Sequence, residues 1–422
     1  MLFDNARLRA GTDARPLLVC DLTQSYSPAG GGGISTYLRE KRDYVLQQTP
    51  HHLLQIVPGP ADRVTVNGRH IFAEVAADPV SGSPNYRFIL RVRAVRELLA
   101  RYRPDVIESL CPWVLPWVAI QHRRAYPGTA LVAGYRTDFP NAHVDRVARA
   151  LFGPLGRVFY WLSLGYTEMT YREFDWVYTL GEEARATLAS RGIERTEVLP
   201  LGVDTTLFHP GARDPDYRGE LGLGGSGPLL AYAGRIDNEK RAATLVEMFR
   251  LLPADLDAAM VLIGDGKLRQ PLMAAAKDLP IAFPGFETDR AGLARALASA
   301  DLYVSAMADE TFGISVIEAQ AAGLPVVGVA SGAMPARVPP TLGRLGPVGD
   351  ARAMADNVLA LWRGDHQAMG RAACAHVEAN FSWQATFGRL FGTIYPKALA
   401  RAAGRMESRV EGGPVKGPVH PR

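Results

Sequence analysis

The chain is 422 residues long, 47% apolar and 21% charged, with 42 Gly and 30 Pro; this is a soluble globular profile of two or three domains, which excludes a disordered, fibrous or small stapled protein. Forty-seven Lys and Arg against 43 Asp and Glu leave a formal charge of +4, too even for a dedicated nucleic-acid binder. Three distant cysteines, Cys20, Cys111 and Cys374, make neither a disulfide framework nor a closely spaced metal cluster.

In chain order, Asp4, Arg7 and Arg9 interrupt the apolar residues of the first segment, so residues 1–16 do not read as a secretory signal. The apolar stretches 109–121 and 151–166 are broken by prolines and Arg157 and fall short of the ~20 residues of a membrane-spanning helix. A cytoplasmic, reducing location is expected. Strand-length apolar runs follow at residues 17–22, 53–57, 106–109, 130–135, 176–180 and 198–201, with a long helix over 35–48. Residues 202–228, rich in Gly, Pro and Asp, read as a linker. A second series falls at 229–233, 259–263, 281–283, 302–305 and 326–329. This alternation predicts an α/β protein with two open parallel sheets, its ligand in a cleft beyond the carboxyl ends of the strands. The expected domains are 1–202 and 229–382, with a linker over 203–228, a helix over 383–400 packing back to the first domain, and a disordered tail over 401–422. Charge divides unevenly: residues 1–160 hold 20 basic and 13 acidic residues, and the remainder 27 and 30.

Three loops carry candidate chemistry. Gly30 to Gly33 precede Ile34 and Ser35 at a helix start, where close backbone approach and free N–H groups favour an anion; a flexible surface turn is the plainer alternative. A nicotinamide fold would place an acid at the end of the next strand, but Pro58 stands there, and no nucleotide-triphosphatase loop is present. After the strand 229–233, Arg235 and Lys240 could hold a diphosphate, or form a solvated turn paired with Asp237 or Glu239. Beyond the strand 302–305, Glu310 lies in a loop and Glu318 within a helix ended by Gly323. Eight residues of helix rise ~12 Å, so the two acids suit the ends of an extended ligand better than the ~5 Å carboxylate pair of a retaining glycosidase. Backbone N–H groups of Phe312 to Ser315 would face an anionic group between them.

Together these residues resemble the retaining nucleotide-sugar glycosyltransferases of family 4, with the GT-B architecture of two Rossmann-like domains. The resemblance rests on Glu310 and Glu318, on Gly234, Arg235, Glu239 and Lys240, on Gly202-Val203-Asp204 with Phe208-His209-Pro210, on Ile263 to Gly266, on Gly32 to Ile34 and on Thr137 to Pro140. It implies that Glu310 contacts the donor sugar and Glu318 the ribose, while Arg235 and Lys240 hold the diphosphate. It further implies donor contacts at Gly32, Gly33, Arg136, Gly234, Gly264, Phe312, Gly313, Ile314 and Ser315. Base contacts would fall at Pro284, Gly285 and Phe286, and acceptor contacts at Asp138 and Tyr37. Members commonly retain anomeric configuration by a front-face route, without a protein nucleophile, required metal or cofactor.

Two positions depart from the pattern. Arg136 stands where related sequences often carry His, so it either pairs with an anionic sugar or acceptor phosphate or bridges to Asp138 or Asp145. Arg241 stands where Gly often follows the lysine. Asp214-Pro215-Asp216 and Asp255-Leu256-Asp257 look like a metal-binding acid pair, but neither follows a nucleotide-binding strand. Arg39, Lys41, Arg42, Arg123, Arg124, Arg146, Arg149 and Arg157 lie among large apolar residues, a pattern suited to an anionic membrane surface and a lipid-linked acceptor, or to solvated arginines over a core. The expected partners are thus a nucleotide sugar and a lipid-linked or saccharide acceptor of cell-envelope glycoconjugates. Competing functions are an epimerase or phosphorylase of the same architecture, or a non-catalytic sugar-binding protein.

Overall fold

The computed structural model describes residues 15–24, 26, 33–80, 83–136, 156–308, 310 and 312–411. Two compact units divide it. The first comprises residues 1–178, 188–197 and 391–422, the second 179–187 and 198–390.

The first unit is built on β1 (Leu18–Leu22), β2 (His52–Gly59), β3 (Arg63–Asn67), β4 (His70–Ala76), β7 (Val106–Ser109), β8 (Ala130–Tyr135), β9 (Trp176–Thr179) and β10 (Thr196–Val198). A small ribbon, β5 (Pro79–Val80) with β6 (Ser83–Arg87), stands apart. The sheet runs β10-β9-β8-β7-β1-β2-β4-β3, parallel through the β7, β1, β2 and β4 pairings, with β3 antiparallel at the edge. β1, β7 and β8 are buried on both faces, as expected of a parallel sheet covered by crossover helices. The edge hairpin β3–β4 was not among the expected strands. It turns at Asn67-Gly68, with Gly68 at φ 57°, a common hairpin signal.

The second unit holds β11 (Leu229–Ala233), β12 (Ala259–Ile263), β13 (Ile281–Gly285), β14 (Leu302–Val304), β15 (Val326–Val329) and β16 (Gly343–Gly346). Their order is β13-β12-β11-β14-β15-β16, the 3-2-1-4-5-6 winding of a dinucleotide-type fold, whose crevice opens at the carboxyl ends of the first and fourth strands. One face of this sheet presents Leu230, Tyr232, Met260, Leu262, Leu302, Val304 and Val327. They pack with Leu245, Val246, Phe249, Met354, Val358 and Leu361 of helices Ala242–Arg250 and Ala351–Arg363.

The expected single helix over 383–400 is instead Trp383–Arg389, a π-helical turn over Leu390–Ile394, and a helix Tyr395–Glu411. Residues 401–411 are therefore helical where a disordered tail was expected. Ala398 and Ala402 are buried and Arg405 is tied to Asp175, so this segment has a packed face that its charged, Gly-containing sequence obscures. Residues 412–422 lie outside the described residues.

Candidate active site

In the second unit the switch point lies between β11 and β14, and the loops that follow these strands carry the candidate residues. After β11 the chain turns at Gly234, where an added Cβ would meet the Tyr232 hydroxyl at 2.7 Å. That hydroxyl donates to the Arg235 carbonyl at 2.8 Å. A Cβ on Gly264 would lie 1.9 Å from the Gly234 carbonyl oxygen, so the two loops abut only because Gly264 lacks a side chain.

Arg235 is paired with both acids of its own turn, Asp237 at 2.5 Å and Glu239 at 3.0 Å. The local-turn alternative thus describes its contacts in this structure. Asp237 also accepts the Lys240 backbone N–H at 2.9 Å, and so orders the whole Arg235–Lys240 loop. Lys240 Nζ reaches across to Glu310 Oε2 at 3.1 Å, both side chains largely shielded at 21% and 13% exposure. Glu310 Oε1 accepts the Gly313 N–H at 3.0 Å. A carboxylate after β14 is thereby locked to a cation after β11, which joins two motifs 70 residues apart.

Gly313 adopts φ 80° and leads into the helix Ile314–Ala321, whose first-turn N–H groups have no intrahelical acceptor. Ile314 and Ser315 are partly exposed at this end. Phe312 is not a surface contact: it is 3% exposed and packs edge-on to Phe381 at 6.4 Å. Arg337 lies over its ring at 4.4 Å and donates to its carbonyl at 3.0 Å. Burial pushes the Arg337 guanidinium down to about 10. Nothing in the local sequence marked Arg337 as the brace of this loop.

Glu318 is 4% exposed and pairs with Arg290 at 2.7 Å. Burial raises its carboxyl pKa, and Arg290 pulls it partly back. Arg290 stacks over the ring of Phe208 at 4.7 Å, so the Gly202–Pro210 motif contributes the platform for the partner of Glu318. Sequence reasoning missed Arg290, which follows the N-cap Asp289 of its helix. Pro284 and Gly285 end β13 instead of standing in a loop. Gly285, at φ 98°, gives its carbonyl to the Gly264 N–H at 2.7 Å, while Phe286 beyond it is 65% exposed.

Arg241 has φ 52° and ψ 39°, the left-handed region in which glycine is at ease and other residues are strained. The position where relatives often carry Gly therefore does require that conformation. One acid of each metal-like pair is already engaged: Asp214 binds the Asp216 N–H at 2.9 Å and Arg295 at 2.6 Å, and Asp257 binds the Ser226 N–H at 2.6 Å. No group of three or more His, Cys, Asp or Glu side chains among the described residues is placed to hold a metal ion.

In the first unit, Gly33 opens the helix Gly33–Gln48 and Arg136 directly follows β8. Arg136 lies over the Tyr37 ring at 4.4 Å, and its Nη2 reaches the Gly33 carbonyl at 3.5 Å. Gly32, Thr137, Asp138, Asp145, Arg146 and Arg149 fall outside the described residues. Tyr37 is fully buried and donates to Glu108 at 2.7 Å, so it presents no hydroxyl to an acceptor in this structure.

Lys41, expected on a basic helix face, is likewise fully buried, bonded to Asp21, to Glu108 at 2.5 Å and to the Tyr395 hydroxyl at 2.7 Å. Asp21 and Glu108 are register partners on β1 and β7, with Gln55 beside Asp21 on β2, so a polar row crosses the sheet beneath Lys41. Burial raises the Asp21 pKa against the pull of Lys41. Burial would also raise Glu108, but Lys41 and the hydroxyls of Tyr178 and Tyr395 outweigh it and hold that carboxyl low.

Two family models match the chain, Glycosyltransferase Family 4 over residues 31–207 and Glycosyl transferases group 1 over residues 227–364. A GDP-mannose-dependent alpha-(1-6)-phosphatidylinositol dimannoside mannosyltransferase of Mycobacterium tuberculosis (strain ATCC 25177 / H37Ra) is 30% identical over 73% of this chain and 78% of its own length. A sulfoquinovosyl transferase of Arabidopsis thaliana is 27% identical over 86% and 69%. Among solved structures, a sucrose-phosphate synthase from Thermosynechococcus elongatus superposes with a TM-score of 0.72 at 22% identity, covering 92% of this chain and all of the other. The Anabaena protein HepE, solved with UDP and glucose, gives 0.66 at 16% identity, covering 90% and 99%. Both likenesses establish the GT-B fold. With the matched motifs standing on the loops that this winding brings together, the chain belongs to the family 4, group 1 glycosyltransferases.

Proposed function

We propose that the protein transfers a hexosyl group, with GDP-mannose the first donor to test, from a nucleoside diphosphate sugar to a phospholipid-linked or saccharide acceptor, with retention and without a metal. The observation that carries this reading is the Lys240–Glu310 pair, with Arg235 on the same loop as Lys240 and held by Asp237 and Glu239: cations and a fixed carboxylate at one switch point suit a diphosphate and a sugar hydroxyl, respectively. As the bond from the anomeric carbon to the diphosphate breaks, negative charge grows on the leaving oxygen, and preset cations lower that barrier. The departing phosphate oxygen then accepts the proton of the attacking acceptor hydroxyl on the same face. Glu318, held by Arg290, would receive the ribose hydroxyls. GDP-mannose is favoured over UDP-sugars because several relatives are named as GDP-mannose-dependent mannosyltransferases, although HepE was solved with UDP.

Peripheral attachment to an anionic membrane forms part of the proposal. Helix Gly156–Arg172 exposes Val158, Trp161, Leu162 and Met169 at 54, 70, 65 and 53%, with Arg157 exposed at the same end. Helical spacing puts these apolar side chains on one stripe, suited to an interfacial position. No helix among the described residues is long and apolar enough to cross a membrane.

A panel of radiolabelled nucleotide sugars, assayed for transfer to membrane lipids, tests the donor and acceptor, and the anomeric configuration of the product tests retention. Failure of every donor to support either transfer or slow hydrolysis would refute the catalytic reading. Sedimentation with anionic vesicles tests attachment, and Trp161→Ser with Leu162→Ser is expected to abolish it.

A further inference from the structure

The N-terminal ends of β8, β9 and β10 border a cavity of about 300 Å³ lined by Arg123, Arg124, Arg172, Arg195, Arg401 and Arg405, with Glu173 and Asp175 as its acids. Both carboxylates are already committed. Asp175 is 1% exposed, accepts the Leu131 N–H at 2.8 Å and is gripped by Arg405, whose Nη2 lies 3.1 Å from Oδ2. Glu173 pairs with Arg123 at 2.5 Å.

The other four cations are poorly matched. Arg195 gives Nη2 to the carbonyls of Arg172 at 2.9 Å and Phe174 at 3.5 Å, which orients the guanidinium without neutralising it. The Nε atoms of Arg195 and Arg405 are buried with no hydrogen-bond partner. Arg172 donates to the Arg191 carbonyl at 2.9 Å and meets Glu168 only at 3.8 Å, while Arg401 approaches Asp175 only at 3.7 Å. The Arg124 guanidinium makes no hydrogen bond or ion pair among the described residues. Burial, and after it the neighbouring charges of Arg401 and Arg123, depress the Arg195 pKa against the opposing pull of Asp175 and Glu194.

Six guanidinium groups around a concave site with two committed acids leave a surplus that calls for a multivalent anion. Planar guanidinium forks match phosphate oxygens two at a time, and the volume lies at the small end of ligand pockets. We propose that this cavity binds a phosphate-bearing ligand, a phosphomonoester or diphosphate, at a site separate from the loops that carry Gly33 and Arg136. Thr129, whose carbonyl accepts from Arg405 at 3.2 Å, precedes β8, whereas Arg136 follows it. Seven residues of strand put the two ends ~20 Å apart.

The test is calorimetric titration of sodium pyrophosphate into the full chain carrying Lys240→Ala, which weakens diphosphate binding in the second unit, with and without added Arg124→Ala and Arg401→Ala. Arg124 is exposed, and Arg401 is exposed with an ion pair to Asp175 at 3.7 Å; a thermal melt verifies that the fold is kept. Pyrophosphate is expected to bind the Lys240→Ala protein and to lose at least ~10-fold in affinity in the triple variant. Vesicles containing phosphatidic acid, whose headgroup is a phosphomonoester, form a second arm. Vesicle binding that requires Arg124 and Arg401 and is displaced by pyrophosphate identifies a lipid headgroup as the source, while pyrophosphate binding with vesicle binding that is absent or does not depend on these two arginines identifies a soluble phosphate. Absence of pyrophosphate binding, or pyrophosphate binding undiminished in the triple variant, overturns the proposal.

Discussion

Replacing Lys41 by Met keeps the side-chain volume and removes the charge that separates Asp21 from Glu108. These carboxylates are register partners on adjacent strands and fully buried. Neighbouring strands lie ~4.8 Å apart, and two charges at that distance repel by ~3 kcal/mol at an effective dielectric constant of 20. The variant can avoid this by protonating one carboxyl, which at pH 7 costs ~4 kcal/mol for a group with an ordinary pKa near 4. The expected loss is therefore ~3–4 kcal/mol at pH 7, consistent with breaking one side of a buried ion pair. It carries a pH signature. Without the ammonium the folded-state carboxyl pKa values rise, so stability is present at low pH and lost as pH rises, and the deficit shrinks by up to ~1.4 kcal/mol per pH unit toward pH 5. Hydrogen exchange of Leu18–Leu22 and Val106–Ser109 in wild type and Lys41→Met, at pH 5.5 and 7.5 after correction for intrinsic rates, reads this locally. Equal protection at pH 7.5, or a deficit independent of pH, would refute the reasoning.

Arg241→Gly should stabilise the second unit by ~0.5–1 kcal/mol, because relief of left-handed strain exceeds the added unfolded-state entropy; a lower urea midpoint would contradict this. Glu318→Gln should separate stability from donor binding. The folded pKa of Glu318 lies above its unfolded value, so its stabilising contribution is complete below the unfolded pKa and is lost as pH rises through the folded one. The Gln variant should therefore unfold no earlier than wild type at pH 7 and show a flatter pH dependence above pH ~4.5, while its KM for the donor rises ~10-fold or more. A large drop in melting temperature with unchanged KM would mark Glu318 as purely structural. Treatment with EDTA should leave transfer within ~2-fold of the untreated rate, since the proposed mechanism draws its cations from Arg235 and Lys240; a loss reversed by Mg²⁺ or Mn²⁺ would overturn the metal-free reading.

Much of the fold was legible because buried parallel strands are short apolar runs, and β11, β12, β14 and β15 read that way directly. The edge hairpin was not, since Arg63–Asn67 is exposed throughout and gives no one-sided pattern apart from its Asn-Gly turn. Lys41 was misplaced on the surface by its charge alone. Its spacing tells otherwise: Leu38, Lys41 and Val45 fall on one helical stripe and are all buried. Glu310 and Lys240 were recoverable as motifs because each follows a strand, but their contact depends on β11 and β14 being neighbours, which strand order and not local sequence decides. Arg290 and Arg337 carry no motif, and only the packing reveals what they hold.

The most direct measurement is calorimetric titration of GDP and UDP into wild type and Lys240→Ala. Binding of at least one nucleotide by wild type, weakened ~10-fold or more by the substitution, is the predicted result. Equal affinity in the two proteins, or no nucleotide binding in either, would contradict the placement of the donor diphosphate at the Arg235–Lys240 loop.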